Sequence, residues 1–339
     1  MTTPKVSIII LNWNGWEDTI ECLKSVYEIT YENYDVIILD NGSLDDSATR
    51  IAEFCRNMAD QATICIGFDE HITSHAENAE NPRPEKGSDE HPSTIRGSRL
   101  IVSDKNVGFA EGNNIAISYA LRASNPDYVL LLNNDTVVDR EFLSELVSVA
   151  ESGPEIGIAG PKTYYYDSKG GKNVIRTVGC EMTMWKGMPR ILGYGEIERG
   201  QYKDVRDVDH VSGACMLIRT DLIRKVGFLD SRLFCYWEEN DYCYRSRRIG
   251  YRTVVVPDAV IWHKMPTPRK GRESIYYLTR NRLWIVGAYA ERRDLVLFMI
   301  YYFTWAIWFN SGYFIIYRRD LKELAFFWKG IIDGIAGQG

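Results

Sequence analysis

Positive charge is not in excess in this chain. It has 40 Lys and Arg residues against 46 Asp and Glu residues, which gives a formal net charge of −6 at pH 7. A general nucleic-acid-binding protein is expected to carry a basic surface instead. The composition therefore argues against that class, and we expect no nucleic-acid partner. One local basic segment does occur, with eight Lys or Arg residues against two acids between residues 264 and 293.

The cysteines lack the spacing of a zinc site or of a disulfide framework. There are seven, an odd number, and no Cys-x-x-Cys pair occurs. We interpret them as buried thiols in a reducing compartment. The first residues enter a strand at once and show no signal-peptide pattern, so we expect the catalytic part to be cytoplasmic.

A glycine-rich turn is also missing after the first predicted strand. A dinucleotide-binding dehydrogenase would need one there, and this chain has a single glycine, Gly15, between residues 12 and 16. A sugar-1-phosphate nucleotidyltransferase would be expected to carry a basic glycine-rich loop at the same place. Both enzyme classes are therefore disfavoured.

Apolar runs and helical periodicity alternate through the first 150 residues. Residues 5–12 and 34–40 predict buried strands, and residues 16–27 carry apolar side chains at helical spacing. This strand–helix alternation predicts right-handed βαβ units and a parallel sheet, an α/β fold. Further strands are predicted at residues 100–103, 128–132, 156–160, 211–218, 253–256 and 259–262.

Two stretches break this alternation. Residues 69–99 are polar and contain three prolines and three of the five histidines. We expect a mobile, solvated insertion there rather than a metal site. Residues 161–210 alternate short β-like pieces with Gly and Pro, and they predict antiparallel strands or loops that line an acceptor cleft.

The strand at residues 128–132 ends in three polar residues, Asn133, Asn134 and Asp135. Open α/β sheets place their ligands at the carboxyl ends of the strands. A carboxylate at that position can hold a hard divalent cation, which in turn can hold a diphosphate. The alternative is a capped turn into a helix that begins at about residue 140.

Glycines precede the helix that ends near residue 123. Gly108 and Gly112 permit close approach of a ligand to the backbone. The free N–H groups at the N-terminus of that helix can bind an anion.

Three acids, Glu238, Glu239 and Asp241, lie together at the start of a predicted helix. The helix dipole favours acids at that end, which is the structural alternative to a catalytic role. Asp241 and Arg245 are one turn apart and can pair. An acid near a bound diphosphate that is free of this pairing could act as a general base.

His263 closes the last predicted strand. A lone histidine after a strand is usually structural. Because it ends another strand of the predicted sheet, however, it could join Asp135 as a metal ligand.

Residues 295–317 contain no Asp, Glu, Lys or Arg. That length suffices for a membrane-spanning helix. Ten aromatic residues are spread throughout rather than confined to two belts, Asn310 to Gly312 interrupt the run, and arginine pairs flank both ends. We expect an in-plane or re-entrant element on a membrane surface, helped by the preceding basic segment. A soluble helical hairpin packed on the catalytic domain is the alternative.

Taken together, these residues resemble the inverting, GT-A-fold glycosyltransferases of family 2, particularly the rhamnosyltransferase-like and galactofuranosyltransferase-like members. The resemblance covers about residues 5–290. It is carried by seven segments in the family's order: residues 7–15, 39–43, 106–114, 132–135, 211–215, 237–241 and 277–282.

The resemblance implies a fold and a set of roles. The fold is GT-A, a Rossmann-like and mostly parallel central sheet flanked by helices, at residues 1–265, with a membrane-associating helical extension at residues 266–339. Glu239 aligns with the catalytic base, and Asp135 and His263 with ligands of Mg²⁺ or Mn²⁺. The implied nucleotide-sugar-binding residues are Asn12, Asn14, Asp40, Asn41, Asn106, Gly108, Asn113, Asn134 and Asp241.

Two positions depart from the family's pattern. Asn133 stands where the first acid of the metal motif is usual, so fewer charges hold the cation. Glu239 stands where the base is usually Asp, which lengthens the reach by one methylene.

The implied activity is metal-dependent, inverting transfer of a sugar from a nucleotide-diphosphate donor, dTDP-rhamnose-like or a UDP-sugar. The expected acceptor is a hydroxyl of a glycan or lipid-linked molecule, in cell-surface polysaccharide or glycoconjugate synthesis at the inner face of the cell membrane. The alternative is a non-catalytic scaffold in a membrane glycan-assembly complex. A scaffold predicts degraded acids, whereas Asp40, Asp135, Glu239 and Asp241 are all present.

Overall fold

A central, mixed β-sheet organises the chain. The computed structural model describes residues 3–58, 64–67, 98–166, 173–264 and 271–337. The strands are β1 (Val6–Asn12), β2 (Tyr34–Asp40), β3 (Ile64–Gly67), β4 (Ser98–Val102), β5 (Tyr128–Asn133), β6 (Thr136–Val138), β7 (Ile156–Tyr165), β8 (Ile175–Thr177), β9 (Cys180–Thr183), β10 (Met188–Ile191), β11 (Arg206–Asp207), β12 (Cys215–Arg219) and β13 (Arg252–His263).

Helices cover both faces of this sheet and continue beyond it. They are α1 (Trp16–Tyr27), α2 (Ser47–Met58), α3 (Phe109–Ala123), α4 (Phe142–Glu151), α5 (Thr220–Val226), α6 (Glu238–Arg248), α7 (Arg272–Tyr289), α8 (Arg292–Tyr301), α9 (Ile307–Gly312) and α10 (Leu321–Ala336). Two π-helical segments, Tyr302–Ala306 and Tyr313–Arg318, lie directly after α8 and α9.

The strand order is β11-β13-β7-β12-β5-β1-β2-β4-β3, with β6 paired to β13 and β8 to β7. The pairs that β1 makes with β2 and β5 are parallel, as are β2 with β4, β3 with β4, and β7 with β13. Strand β12 runs antiparallel to β5 and β7. The predicted α/β fold with a mostly parallel sheet is therefore confirmed.

Continuous apolar runs build the middle of the sheet because both of its faces are covered. Successive side chains of a strand point to opposite faces. Ile8 and Ile10 of β1 belong to the core under α1, α2 and α4, whereas Ile9 belongs to the core under α3. All three are fully buried.

Some predicted boundaries were wrong. Two strands were predicted at 253–256 and 259–262, but β13 is a single strand with an irregularity between Val256 and Val260. Pro257 lies within this irregularity and has no N–H to donate to the neighbouring strand. The short strand β6 also precedes α4, which starts at Phe142.

The two irregular stretches have different outcomes. Residues 69–97 of the expected insertion lie outside the described residues, and its last two residues belong to β4. In the second stretch, β9 and β10 form an antiparallel pair, and β8 runs antiparallel to β7, as predicted.

The C-terminal helices form a third apolar cluster. Val286 of α7, Phe298 of α8 and Phe327 of α10 are among its buried members. Residues 292–318 form one continuous helix, so the residues that interrupt the apolar run at Asn310 do not interrupt the helix. The Asn310 amide donates to the Ala306 carbonyl at 2.7 Å, inside the helix. By length and composition alone this helix could cross a membrane, a test that the core helix of a soluble protein can also pass.

Candidate active site

The carboxyl end of β5 is joined to the end of β13. His263 Nε2 lies 2.9 Å from Asp135 Oδ1. The backbone fixes this contact, because His263 pairs with Thr136 across β13 and β6, and the Lys264 N–H donates to the Asp135 carbonyl at 3.0 Å. The structure thus brings together the two residues that the sequence singled out as metal ligands.

The surroundings of Asp135 favour its ionised carboxylate. Burial raises the pKa of Asp135, but the contact with His263 and the nearby Arg176 guanidinium together outweigh burial and hold that pKa below its usual value. Two further buried atoms here, Asn133 Oδ1 and His263 Nδ1, have no hydrogen-bond partner among the described residues. A carboxylate, an amide oxygen and an imidazole are donor types that a divalent metal accepts.

The protein's own ligand set would be small. Within the described parts of the chain, no group of three or more His, Cys, Asp or Glu side chains is arranged to hold a metal ion. Asp135 and His263 would supply two ligands of these types, and Asn133 would add an amide oxygen at the position where the family usually has an acid.

The loop after β2 is tied to the loop after β1. Asp40 accepts hydrogen bonds from Asn12 Nδ2 at 2.5 Å and from Ser43 Oγ at 2.6 Å. Asn14 Oδ1 accepts a hydrogen bond from the Leu44 N–H at 2.8 Å. Asp40 is only 2% exposed. These contacts place Asn12, Asn14 and Asp40 at one edge of the sheet.

Asn134 joins the same edge from β5. Its side-chain nitrogen lies 3.0 Å from Thr19 Oγ1 and 3.3 Å from the Gly15 carbonyl, and Thr19 in turn donates to Asn12. The Asn134 nitrogen therefore holds the start of α1 against the end of β5.

A second loop pair is held by Asn41. Its side-chain nitrogen donates to Asn106 Oδ1 and to the Gly108 carbonyl, each at 3.1 Å, and its oxygen accepts from the Val107 N–H at 3.0 Å. Gly108 has a φ of 90°. A Cβ atom there would lie 2.7 Å from the Phe234 carbonyl oxygen, so this position has no space for a side chain.

The N-terminus of α3 is less open than the sequence suggested. The Ala110 N–H donates to the Phe234 carbonyl at 3.1 Å, so this group is already used. The Asn113 side-chain nitrogen donates to the Phe109 carbonyl at 2.8 Å within the same helix. The Ala110 contact joins α3 to the loop before α6.

Glu239 lies on the wall of a cavity of about 320 Å³. Burial raises the pKa of Glu239 to about 7, and it raises the pKa of the neighbouring Glu238 as well. The remaining lining includes Met188, Trp237, Leu278 and Arg282. A carboxyl group with a pKa near neutrality can take a proton from a substrate hydroxyl at physiological pH.

Gly213 lies opposite this carboxylate. A Cβ atom at Gly213 would be 3.8 Å from Glu239 Cδ. Gly213 therefore approaches the Glu239 side chain with no side chain of its own.

His210 lines the same cavity, although it was not selected from the sequence. Burial lowers its pKa to about 4, so the ring is neutral near pH 7. The Asn240 side-chain nitrogen lies 3.0 Å from His210 Nδ1. Because an amide nitrogen only donates, Nδ1 accepts and the ring proton is on Nε2.

The loop before Glu239 has an unusual backbone. Phe234, Tyr236 and Trp237 have φ values of 62°, 66° and 75°. Such conformations are costly for bulky residues and persist only when the surrounding structure holds them. Asn281 of α7 does so, with donation from Nδ2 to the carbonyls of Leu233, Cys235 and Tyr236 at 2.9, 3.0 and 2.8 Å.

Asp241 is engaged on both oxygens. Arg245 Nε lies 2.7 Å from Oδ2, which is the pairing expected from the sequence. The Tyr289 hydroxyl donates to Oδ1. Of the two acids, Glu239 is thus the one that faces the cavity without an ion-pair partner among the described residues.

The sequence missed several contributors to this site. His210 lies just outside the recognised segment 211–215, and its partner Asn240 is 30 residues away. The segment 277–282 was recognised without a role, yet it supplies Leu278, Asn281 and Arg282. Their function is visible only once α7 is packed against the loop before α6.

Two family profiles match the sequence. The profile described as "Glycosyltransferase like family 2" matches residues 93–287, and "Glycosyl transferase family 2" matches residues 7–67. Together they cover both halves of the sheet.

Two curated proteins share sequence with this chain. A low-salt glycan biosynthesis hexosyltransferase of Haloferax volcanii is 33% identical over 54% of this chain and 58% of its own length. An N-acetylglucosaminyl-diphospho-decaprenol L-rhamnosyltransferase of Mycobacterium tuberculosis is 28% identical over 49% of this chain and 58% of its own length. The chain thus spans just over half the length of these relatives.

A solved structure supports the fold. A mannosyltransferase from Pyrobaculum calidifontis, in complex with GDP-Man and Mn²⁺, superposes with a TM-score of 0.55. The alignment covers 100% of this chain and 89% of that chain at 12% sequence identity. At this identity the likeness concerns the fold alone.

Proposed function

We propose that this chain, which belongs to glycosyltransferase family 2 and has the GT-A fold, transfers a sugar from a nucleotide-diphosphate donor to an acceptor hydroxyl. The observation that carries the proposal is Glu239, a carboxyl group with a pKa near 7 on the wall of a cavity large enough for a sugar. Pockets for small molecules typically begin at about 300 Å³.

Glu239 is proposed as the general base. Its carboxylate takes the proton of the acceptor hydroxyl as the hydroxyl oxygen attacks the anomeric carbon of the donor. Attack from the face opposite the nucleotide diphosphate forms the new glycosidic bond as the bond to the departing phosphate oxygen breaks. A single displacement of this kind inverts the anomeric configuration.

Asp135 and His263 are the residues proposed to hold a divalent cation, Mg²⁺ or Mn²⁺, with Asn133 beside them. Their carboxylate and imidazole groups, and the buried Asn133 oxygen that has no hydrogen-bond partner among the described residues, are ligand types that fit such an ion. When bound, the cation would neutralise charge on the donor diphosphate and so favour its departure. Because the protein supplies few ligands, the diphosphate and water would complete the coordination.

The donor site is proposed to lie along the edge formed by the ends of β1, β2 and β5. Asp40, Asn12 and Asn14 would form the wall of the donor site next to the nucleoside. The hydrogen bonds that fix their loops hold them there. Asn41, Asn106 and Gly108 would form the neighbouring wall. Further donor contacts are proposed for Asn113, Asn134 and Asp241, although their side chains already bond within the protein.

Residues 1–265 are proposed to form the catalytic unit and residues 266–339 a helical extension that contacts the membrane. The acceptor would then be a glycan or a lipid-linked sugar at the cytoplasmic face. The exposed aromatic residues of the helix at 292–318 support membrane contact, Trp305 and Trp308 among them.

The test measures whether each nucleotide-sugar of a panel raises the melting temperature of the protein when Mn²⁺ is present. The panel contains dTDP-rhamnose, UDP-galactofuranose, UDP-glucose, UDP-N-acetylglucosamine and GDP-mannose. A ligand that binds the native state raises the melting temperature. We expect one donor to stabilise the protein in Mn²⁺ and to lose this effect in Asp135→Ala.

Asp221→Asn is the matched control, because Asp221 lies on the exposed side of α5 and pairs only with Arg224. It should retain the full stabilisation. Absence of stabilisation by every donor, or stabilisation that survives in Asp135→Ala, would contradict the proposed donor site.

A further inference from the structure

His210 lines the cavity that contains Glu239, and the reaction proposed above does not use it. Two elements hold this residue in place. Its backbone carbonyl and N–H both pair with Cys180 of β9, at 3.0 and 3.3 Å. The side-chain nitrogen of Asn240, the third residue of α6, lies 3.0 Å from Nδ1 of the ring. The His210 ring is thus fixed at the cavity wall between β9 and α6.

The contact with Asn240 decides which ring nitrogen carries the proton. The Asn240 side-chain nitrogen lies 3.7 Å from Met182 Sδ as well as 3.0 Å from His210 Nδ1. Because a thioether sulfur only accepts hydrogen bonds, the amide turns its nitrogen to this side and donates to Nδ1. The proton of the neutral ring is then on Nε2, which has no hydrogen-bond partner among the described residues. The Nε2–H group is therefore what the ring can offer to a molecule in the cavity.

The surroundings of His210 keep its ring neutral. Burial lowers the pKa of His210 to about 4. The nearby charges of Asp209 and Arg247 act on this pKa in opposite directions, and the two groups pair with each other at 2.7 Å. A neutral ring whose Nδ1 is already bonded cannot take the proton of a hydroxyl. His210 therefore acts as a hydrogen-bond donor and does not compete with Glu239 as a base.

His210 and Glu239 lie close together because the same two segments carry both. Asn240, which holds the ring, directly follows Glu239 on α6. Gly213, three residues after His210, approaches the Glu239 side chain. No hydrogen bond connects the ring with the Glu239 carboxylate in the described part of the chain, so neither group is used by the other. The cavity of about 320 Å³ is near the lower end of small-molecule pocket volumes, so one sugar can contact both groups.

We propose that His210 is a specificity-determining residue of the acceptor site. Its Nε2–H donates to the oxygen of the hydroxyl next to the one that Glu239 deprotonates, and Asn240 is the positioning residue that keeps the ring proton on Nε2. The Glu239 carboxylate only accepts and the ring only donates at Nε2, so two neighbouring hydroxyls of one sugar satisfy both groups. This inference rests on the proposed function and specifies which acceptor hydroxyl reaches the base.

The tautomer is tested in the full chain without any ligand. Protein labelled with ¹⁵N-histidine is measured by long-range ¹H–¹⁵N correlation at about pH 7, and the His210 signals are identified by their absence in His210→Gln. We expect a neutral ring that is protonated at Nε2. Asn240→Asp offers an acceptor to Nδ1 and should give a ring that is protonated at Nδ1. A wild-type ring protonated at Nδ1, or an unchanged tautomer in folded Asn240→Asp, would overturn the proposal.

The acceptor contact is tested with the methyl glycosides of rhamnose, galactose, glucose and N-acetylglucosamine, in the absence of donor. At least one glycoside should shift the His210 Nε2 signal of the wild type. The monodeoxy analogue that lacks the hydroxyl bound by His210 should bind about tenfold more weakly or worse, because it leaves the buried Nε2–H unpaired.

His210→Leu should weaken the parent glycoside by about tenfold and should bind this analogue as well as the parent, because the group that distinguishes them is gone. His210→Gln is the matched variant. It keeps an amide N–H near the position of Nε2 and should retain the parent's affinity within about threefold. Should His210→Leu fail to fold, His210→Asn takes its place, because its shorter amide does not reach the Nε2 position.

Three results would overturn the proposal: no shift with any of these glycosides, equal wild-type affinity for the parent and all of its analogues, or discrimination that persists in the folded His210 variant without the donor group. Both measurements are made without donor, whereas donor binding is scored by thermal stabilisation in Mn²⁺. Failure here therefore leaves the proposed transfer reaction standing, and failure of the donor panel leaves the His210 result standing.

Discussion

The Asn281 side-chain nitrogen donates to the Tyr236 carbonyl oxygen at 2.8 Å across 45 residues of sequence. The same nitrogen also lies within hydrogen-bond distance of the Leu233 and Cys235 carbonyls, and Asn281 has no exposed surface. One amide group thus holds three carbonyls of the loop that leads into Glu239. Helix α7 in this way holds the loop that leads into the proposed base, in addition to supporting the C-terminal helices.

Replacement of Asn281 should destabilise the protein through these carbonyls. Asn281→Ala leaves buried acceptors unpaired, and each costs about 1–3 kcal/mol. Asn281→Asp should be worse, because it directs an oxygen at three carbonyl oxygens. Urea unfolding checks this order. Asn310→Ala removes one amide-to-carbonyl bond elsewhere and should cost about 1 kcal/mol or less. An equal loss in Asn281→Ala and Asn310→Ala would contradict the account.

Gly108 tests the close approach between α3 and the same loop. Gly108→Ala places Cβ 2.7 Å from the Phe234 carbonyl oxygen, at a φ of 90°. Gly250 has the same φ of 90° and no heavy atom within 4 Å of its Cβ position. The Gly250→Ala variant therefore measures the backbone cost alone, about 1–2 kcal/mol. Gly108→Ala should lose more stability than that and also transfer sugar more slowly.

Equal stability losses in the two glycine variants would show that Phe234 moves aside without cost. The contact between α3 and the loop would then play no part in positioning Glu239.

The fold was largely predictable, and the loop before Glu239 was not. Strands β1, β2 and β5 are continuous apolar runs because both faces of the sheet are covered, and such runs are visible in sequence. Phe234, Tyr236 and Trp237 gave no turn signal, because none of them is a residue that favours positive φ. Their conformation is imposed by Asn281 and Gly108, which are distant in sequence.

Asp135 and His263, the proposed metal ligands, could be selected from the sequence, whereas His210 could not. Asp135 and His263 were selected because each ends a strand, and the β6–β13 pairing brings them to 2.9 Å. His210 was missed because its only distinguishing feature is a buried contact with Asn240. Contacts of this kind depend on packing between elements and leave no periodic pattern in the sequence. The roles of the individual site residues remain predictions.

The raised pKa of Glu239 predicts the pH dependence of both activity and stability. The base form dominates above about pH 7, so kcat/KM should rise with pH and level off there. The folded pKa exceeds the unfolded value of 4.5, so the folded protein holds more protons between these two values. The free energy of unfolding therefore contains a contribution that is complete below about pH 4.5 and is lost as the pH rises through about 7.

Glu239→Gln should remove this contribution and flatten the fall in stability between pH 4.5 and 7. Part of the slope should remain, because Glu238 also has a raised pKa. Glu17→Gln, a change on the exposed side of α1, is the control and should keep the wild-type slope. A Glu239→Gln slope equal to that of the wild type would contradict the buried position of this carboxyl group.

The helix at residues 292–318 predicts membrane binding that depends on exposed apolar groups. Ile316 and Tyr317 are 75% and 77% exposed. A double change of both to Ser should weaken sedimentation with acidic vesicles at low salt by about tenfold or more, because their side chains no longer enter the lipid. Leu44→Ser, at an exposed leucine of the catalytic domain, should have no effect. If the wild-type protein does not sediment with such vesicles, the proposed membrane contact is contradicted.

The most direct test of the central claim is the transfer rate of Glu239→Gln with the donor identified by thermal stabilisation. It is measured at pH 8 with saturating donor and acceptor. Glutamine keeps the shape of the side chain and cannot take a proton. We expect a loss of about 100-fold or more in kcat, with donor stabilisation unchanged. Turnover within a few-fold of the wild type would show that Glu239 is not the base.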